Sequence, residues 1–366
     1  MEDNNAIIIV GAGCIGLCTA YELSKSFDDQ ERMPRIIVAE ACDRPFAAAS
    51  SACTGCFHYH FPGPLSKALT PLGKYSFDLW AQEAQNADFR LATGYLENSS
   101  YSILQGDGKG LDRLPDWIKT EAFWDVDNHV LGNKTATVNP LGVGKWLTQQ
   151  CLARGVKIVL NTEILAVELS TLNELRAVNL RNGHQKTNIA CKQMLLACGP
   201  WTPTSTAFVS FESYIGEKFE FAGRNDGSIW VCGRRNFNAK LPSPGQSDEP
   251  DNALIEEMSR LARKWLNRDC SHHEEHCDDV QIVKKGRAFR PATKSELPVM
   301  SKVKPSDITP NYTSHSTGIF VCCGHGSWGL TLGMGSGRVM SQTIRGEQSD
   351  IDLSPFSLAL NTTSCA

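Results

Sequence analysis

Gly11, Gly13 and Gly16 stand in G-x-G-x-x-G order directly after the apolar run Ile7-Ile8-Ile9-Val10. Residues of this type at this spacing cradle a pyrophosphate. The first glycine permits a tight turn and the second lets backbone approach the phosphates. The third lets a helix pack closely on the strand with its N-terminus aimed at the anion, so that Ile15 lies within the same cradle. A carboxylate completes the pattern. The strand 35–39 ends in Glu40, roughly where an acidic residue takes ribose hydroxyls in a dinucleotide-binding βαβ unit. The elements that must position these groups are a buried parallel strand at Ile7–Val10, a helix over Cys14–Lys25 and the second strand before Glu40.

A second set of candidate residues lies near the C-terminal end. The strand 318–323 runs into GHGSWGLTLGMGSG, and a helix is expected over 335–345. N–H groups and the positive end of a helix dipole here suit the electron-rich pyrimidine edge of an isoalloxazine, where charge accumulates on reduction. Between the two motifs, residues 41–52 are small and serine-rich. Ser50, Ser51 and Gly55 fit a loop passing close beneath a bulky cofactor. Arg290 offers a planar fork of donors that matches a carboxylate; the alternative is a salt bridge at a strand end.

The remaining chain reads as support. Residues 65–91 carry a helical apolar stripe, and 94–140 alternate short strands with turns, with Trp117, Phe123 and Trp124 as core. A helix to about Arg154, a strand at 156–160 and a hairpin through 181–183 form a second α/β passage. The strand 193–201 ends in the turn that holds Gly199 and Trp201. Strands near 217–221 and 228–233 flank a turn at 224–227, followed by a helix over 253–267 and a strand at 280–285. The expected division is a discontinuous cofactor domain (1–64, 138–204 and 284–350), a second domain (65–137 and 205–283) and a tail (351–366).

Bulk properties narrow the class. The 366 residues exceed what one hydrophobic core usually serves, which favours two domains with a cleft between them. With 41% hydrophobic and 21% charged residues the composition is globular. A net charge of -4 and scattered Lys and Arg give no footprint for nucleic acid. No run is long enough for stable membrane insertion, and the polar MEDNN start is not a signal peptide, so a cytoplasmic location is expected. The fourteen cysteines then read as reduced thiols, several inside core elements. Cys53, Cys56, His58 and His60, and the DCSHHEEHCDD stretch at 269–279, are read as loops with no metal, since neither shows the separated ligand pairs of a zinc site.

GAGCIGLCTAYELSK with Glu40, the LLACGPW strand, AFRPATKSELPVM and CCGHGSWGLTLGMGSGRVMSQTIRGE together resemble the D-amino-acid oxidase and glycine/sarcosine oxidase superfamily, and most of all its small fungal and yeast members. The resemblance spans 6 to about 346. It implies an α/β fold: a Rossmann-like FAD-binding domain of the GR2 flavoprotein type with a second, β-rich α+β substrate domain. It places FAD on Gly11, Gly13, Ile15, Gly16 and Glu40, near Ser50, Ser51, Gly55, Gly199 and Trp201. Gly324, Gly326, Ser327, Gly329, Leu330 and Thr331 would embrace the ring. Arg290 would bind a substrate carboxylate, with His325 and Trp328 shaping the pocket. The implied activity is an FAD-dependent oxidation of a C–N bond in a small amine or amino acid, by hydride transfer to flavin N5 with molecular oxygen as acceptor. Alternatives are a biosynthetic tailoring flavoenzyme and a flavin-bound regulatory or trafficking protein. Two departures matter. Residues 202–218 are shorter than in relatives, and 287–289 offer no flavin-linking cysteine, so FAD is expected to be noncovalent.

Overall fold

The computed structural model describes residues 6–27, 33–61, 63–105, 109–110, 114, 118, 124–127, 134–202, 220–233, 239–246, 249–266, 281–304 and 317–358. Along the chain, β1 (Ile7–Val10), α1 (Cys14–Lys25) and β2 (Ile36–Ala39) form the first βαβ unit. Then come β3 (Cys56–His58), α2 (Ser66–Glu83), α3 (Ala87–Thr93), β4 (Leu96–Asn98), β5 (Ser102–Gln105), β6 (Trp124–Asp127) and β7 (Thr135–Thr137). The second passage holds α4 (Pro140–Ala153), β8 (Lys157–Val159), β9 (Thr162–Leu169), β10 (Leu175–Asn182), β11 (Gln185–Ala190) and β12 (Gln193–Leu196). Last are β13 (Glu220–Gly223), β14 (Ile229–Cys232), α5 (Asn252–Trp265), β15 (Val299–Lys302), β16 (Gly318–Cys323) and α6 (Gly329–Arg345).

Six strands make the central sheet in the order β15-β16-β12-β1-β2-β8. All run parallel except the edge strand β15, which pairs antiparallel with β16. Alternation along β1 divides the core into two layers. Ile7 and Ile9 pack with Leu17, Leu23, Leu332 and Met340 under the helices, whereas Ile8 packs with Val178, Leu180 and Met194 under the antiparallel sheet β11-β10-β9. The hairpin expected at 181–183 is the β10–β11 turn, and the strands around 224–227 are β13 and β14.

The helix layer is held by unusually close approach. A Cβ added at Gly333 would lie 2.5 Å from Cys14 Sγ, one at Gly335 2.8 Å from Ser76 Cβ, and one at Gly337 2.5 Å from the Cys18 backbone carbonyl carbon. Helix α6 therefore beds against α1 and α2 through a groove of missing side chains. This corrects the sequence reading of its start: α6 begins at Gly329, not 335, because its glycines serve helix packing instead of a turn. Two other expectations change. The stretch 65–91 breaks at 84–86, where Asn86 caps α3 by accepting from the Asp88 N–H. Residues 281–291 are irregular and mostly exposed, so no strand forms over 281–285. Helix α2 packs on α6. Residue 217, Trp117, Phe123, most of 202–218 and the stretch 269–279 lie outside the described residues. Among those described, no helix is long and apolar enough to cross a membrane.

Replacing Gly337 by Ala should lower stability by about 1–3 kcal/mol through overpacking against backbone that cannot rotate away. Gly286→Ala, with nothing within 4 Å of the new methyl, should leave it nearly unchanged. Urea midpoints of the two variants measure the difference.

Candidate functional site

The turn from β1 into α1 is built by contacts that exclude larger residues. Gly11 has φ +103, donates its N–H to Ala39 O at 2.7 Å, and leaves no room for a Cβ, which would sit 2.5 Å from Ala197 O. A Cβ at Gly16 would lie 1.9 Å from Gly11 O, so helix and strand can meet only here. Ser50 Oγ accepts from the Cys14 N–H at 2.9 Å. The first i−4 bond of α1 is donated by Leu17 to Gly13 O. The N–H groups of Ile15 and Gly16 thus have no partner on the preceding turn, and the positive end of the helix dipole faces outward.

Glu40 is fixed beside this anion-binding turn. Its Oε2 accepts from the Ala12 N–H at 2.7 Å and its Oε1 from the Cys42 N–H at 2.9 Å. Each oxygen keeps lone-pair capacity for a hydroxyl. A phosphate at the helix end and a diol beside the carboxylate suit this donor and acceptor set, as the two ends of an adenosine diphosphate moiety require. Ser51 plays a different part: its hydroxyl donates to Ala48 O at 3.0 Å and holds its own loop. Gly55, at φ +80, accepts from the Val138 N–H at 2.7 Å and ties that loop to α4.

The second cluster surrounds the start of α6. Gly324 packs on Thr293, whose Cγ2 would be 2.2 Å from an added Cβ, and the Gly326 N–H donates to Pro291 O at 2.7 Å. Residues 326–328 make one tight turn in which Ser327 is exposed. Trp328 meets His58 edge-on at 5.4 Å and Phe61 at 4.9 Å, forming an aromatic wall. Thr331 Oγ1 donates to Cys56 O at 3.0 Å and links α6 to β3. The buried Ser76 hydroxyl accepts from the Gly335 N–H at 2.9 Å and donates to Thr331 O at 2.6 Å, entering between two groups that an uninterrupted helix would pair. Trp80 Nε1 donates to Leu330 O at 3.2 Å. Ser76, Trp80 and Thr293 thus set this turn. Sequence reasoning missed all three, because Trp80 reads as an apolar stripe and nothing local marks a serine that bonds a helix 255 residues away.

His325 sits differently from the pocket-lining role implied by resemblance. Its ring is 2% exposed, and Nε2 lies 3.0 Å from Ser336 Oγ on α6. Burial pushes the imidazole down to about 3, so it is neutral at ordinary pH. Gly199, at φ +58, opens a turn with nothing within 4 Å of its Cα substituent position, and Trp201 Nε1 donates to Pro242 O at 2.8 Å. Arg290 is exposed on the irregular segment that leads to Pro291. Burial pushes the Cys53 and Cys56 thiols up to about 12, which keeps them protonated. Among the described residues no three His, Cys, Asp or Glu side chains are grouped as a metal site.

This architecture has named counterparts. The family model for FAD dependent oxidoreductases matches residues 6–343. The chain belongs to that family. It is therefore an FAD-dependent oxidoreductase, and the β1–α1 turn with Glu40 fits the cofactor on structural grounds. A Schizosaccharomyces pombe protein with the provisional name of oxidoreductase is 22% identical, the match covering 94% of this chain and 95% of the relative. Among solved structures, glycine oxidase from Geobacillus kaustophilus superposes with a TM-score of 0.70 at 17% identity, covering 97% of this chain and 98% of its own. L-amino acid deaminase from Proteus myxofaciens, in complex with anthranilate, gives 0.69 at 16% identity, covering 99% and 95%. At these identities the two structures establish the shared fold.

The neutral, buried His325 makes the oxidoreductase acid-sensitive. Its folded pKa lies below the unfolded value near 6.5, so its contribution is fully present above about pH 6.5 and is lost as pH falls toward 3. The loss should approach about 1.4 kcal/mol per pH unit below about pH 6. Urea unfolding at pH 7 and pH 5 should show a smaller acid-side loss in His325→Gln than in the unaltered chain.

Proposed function

We propose that this oxidoreductase oxidises the C–N bond of a small amine or amino acid. The observation that carries the reading is the placement of two helix N-termini, those of α1 and α6, beside the C-terminal ends of parallel strands β1 and β16, with α1 and α6 in contact. A long dinucleotide can lie across that edge with its phosphates at one helix and its ring at the other. FAD, when bound, supplies an acceptor for a hydride and passes the electrons on to molecular oxygen.

The chain's own residues bind, orient and exclude water. Gly11, Gly13, Ile15 and Gly16 hold the pyrophosphate, Glu40 the ribose, and Ser50, Ser51 and Gly55 shape the floor beneath the ring. Gly199 and Trp201 border the same edge. Gly324, Gly326, Ser327, Gly329, Leu330 and Thr331 form the collar at the ring, where the positive end of α6 favours developing negative charge. Trp328, backed by His58 and Phe61, walls the pocket, and His325 locks that turn to α6. Arg290 would meet a carboxylate on the substrate. Such a site relies on orientation and a dry surface more than on a protein nucleophile. The reading divides the chain into the FAD-binding part (1–64, 138–204 and 284–350) and a substrate-facing remainder. It is supported by family membership and by the amino-acid enzymes that share the fold.

Purified protein mixed anaerobically with amines, amino acids and hydroxy acids tests it. Bleaching of the flavin bands by an amine or amino acid is expected, followed by recovery and hydrogen peroxide when air is admitted. Bleaching by hydroxy acids alone would overturn the assignment.

A further inference from the structure

Ser76 is fully buried on α2, and its hydroxyl enters the backbone of α6. It accepts from the Gly335 N–H at 2.9 Å and donates to Thr331 O at 2.6 Å. Those two groups are four residues apart, so an α-helix would pair them directly. The hydroxyl is therefore not needed to satisfy them. An alanine at this position would let the ladder of α6 close, would suit α2 by its higher helix propensity, and would leave no polar side chain to bury. Stability alone gives no reason for a serine here.

What the hydroxyl changes is the aim of a peptide unit. A peptide is planar, so a contact that holds its carbonyl also holds the N–H of the next residue. Ser76 holds the Thr331 carbonyl and with it the Leu332 N–H. One turn further along α2, the buried Trp80 donates from Nε1 to Leu330 O at 3.2 Å and so holds the Thr331 N–H. That N–H belongs to the opening turn of α6, where donors have no partner on the helix itself. Thr331 is gripped from β3 as well, its Oγ1 donating to Cys56 O at 3.0 Å. With Gly329, Gly333 and Gly335 in the same stretch, these units have little stiffness of their own. Side chains from α2 and β3 supply it.

We propose that Ser76, together with Trp80, is a positioning residue for the flavin: it aims the N-terminal end of α6 and thereby raises the flavin's reduction potential. This rests on the reading that puts the ring at α6. Taking up a hydride, which is two electrons and one proton, leaves a bound flavin with one negative charge. N–H groups directed at that charge favour the reduced form. With alanine at 76 the Thr331 carbonyl would turn back to the Gly335 N–H and carry the Leu332 N–H with it. Neither Ser76 nor Trp80 needs to touch the ring.

The test uses the FAD-loaded chain and no amine. Reduction by dithionite beside a reference dye gives the midpoint potential, and titration with sulfite, whose addition also leaves negative charge on the flavin, gives a second measure. Ser76→Ala should keep its FAD and its melting midpoint yet bind sulfite roughly tenfold more weakly, the lower end of what a hydrogen bond to a charged group contributes. For a two-electron couple that corresponds to a potential lower by about 30 mV. Trp80→Phe should move both quantities in the same direction. Ser341→Ala, which removes a buried hydroxyl further along α6 that has no hydrogen-bond partner among the described residues, should move neither. An unaltered potential in Ser76→Ala would overturn the proposal. So would loss of FAD from that variant, which would assign the serine to cofactor retention, or an equal shift in Ser341→Ala. Trp328→Phe separates this role from the place of the ring, since it should change the flavin absorbance bands. Changed bands there with an unaltered potential in Ser76→Ala would leave the ring at α6 and remove the role of Ser76, whereas unchanged bands would overturn both. If the potential shifts and no amine or amino acid bleaches the flavin, the C–N oxidation reading fails and the positioning role stands.

Discussion

The contact between α1 and α6 is the constraint on which the rest of the structure depends. Both helices deliver their N-termini to one edge of the sheet, and they can do so together only because Gly333 and Gly337 on α6 let it sink against Cys14 and Cys18 on α1. Any side chain there would push the helices apart, and the two positive ends would no longer meet at one edge of the sheet. Helix α2 completes the arrangement from the other side through Ser76 and Trp80, which bond the backbone of α6 in its first turns. The price is a helix start rich in glycine, whose poor propensity has to be offset by burial.

Charge reinforces the same three helices. Glu22 on α1 is buried between Arg338 on α6, in a short contact, and Lys25, which also reaches Glu83 on α2 at 2.9 Å. Tyr21 donates to that same Glu83 at 3.0 Å. A buried carboxylate between two cations adds little net stability compared with an apolar pair, but removing one partner is costly. Its effect here is to fix the register of α1 against α6. Apolar packing alone would tolerate sliding.

How much of this could be read from sequence follows from how local each determinant is. Ile7–Val10, Cys14–Lys25 and the Gly318–Cys323 strand are written in β-branched runs and glycine spacing, and the structure has them at those bounds. The place of Glu40 beside the first turn was legible from its spacing after the glycines, whereas Ser50, read as part of a loop beneath a bulky cofactor, has its hydroxyl on the Cys14 N–H of that turn. The start of α6 was not, because glycine reads locally as turn while its role is set by Cys14, Cys18 and Ser76 hundreds of residues earlier. Residues 281–285 carry the β-branched pair Ile282-Val283 that reads as a strand, yet Val283 is 88% exposed and no strand among the described residues pairs with it.

On the proposed reading, the family's cofactor would span the two helix ends, with its phosphates at the N–H groups of the first turn, its ribose at Glu40 and its ring beside Trp328. The most direct check is to denature the purified protein with acid, separate the supernatant, and identify and quantify the released flavin. The account predicts about one FAD per chain, all of it in the supernatant. Flavin retained in the pellet, FMN in place of FAD, or no flavin after purification and incubation with FAD would contradict it.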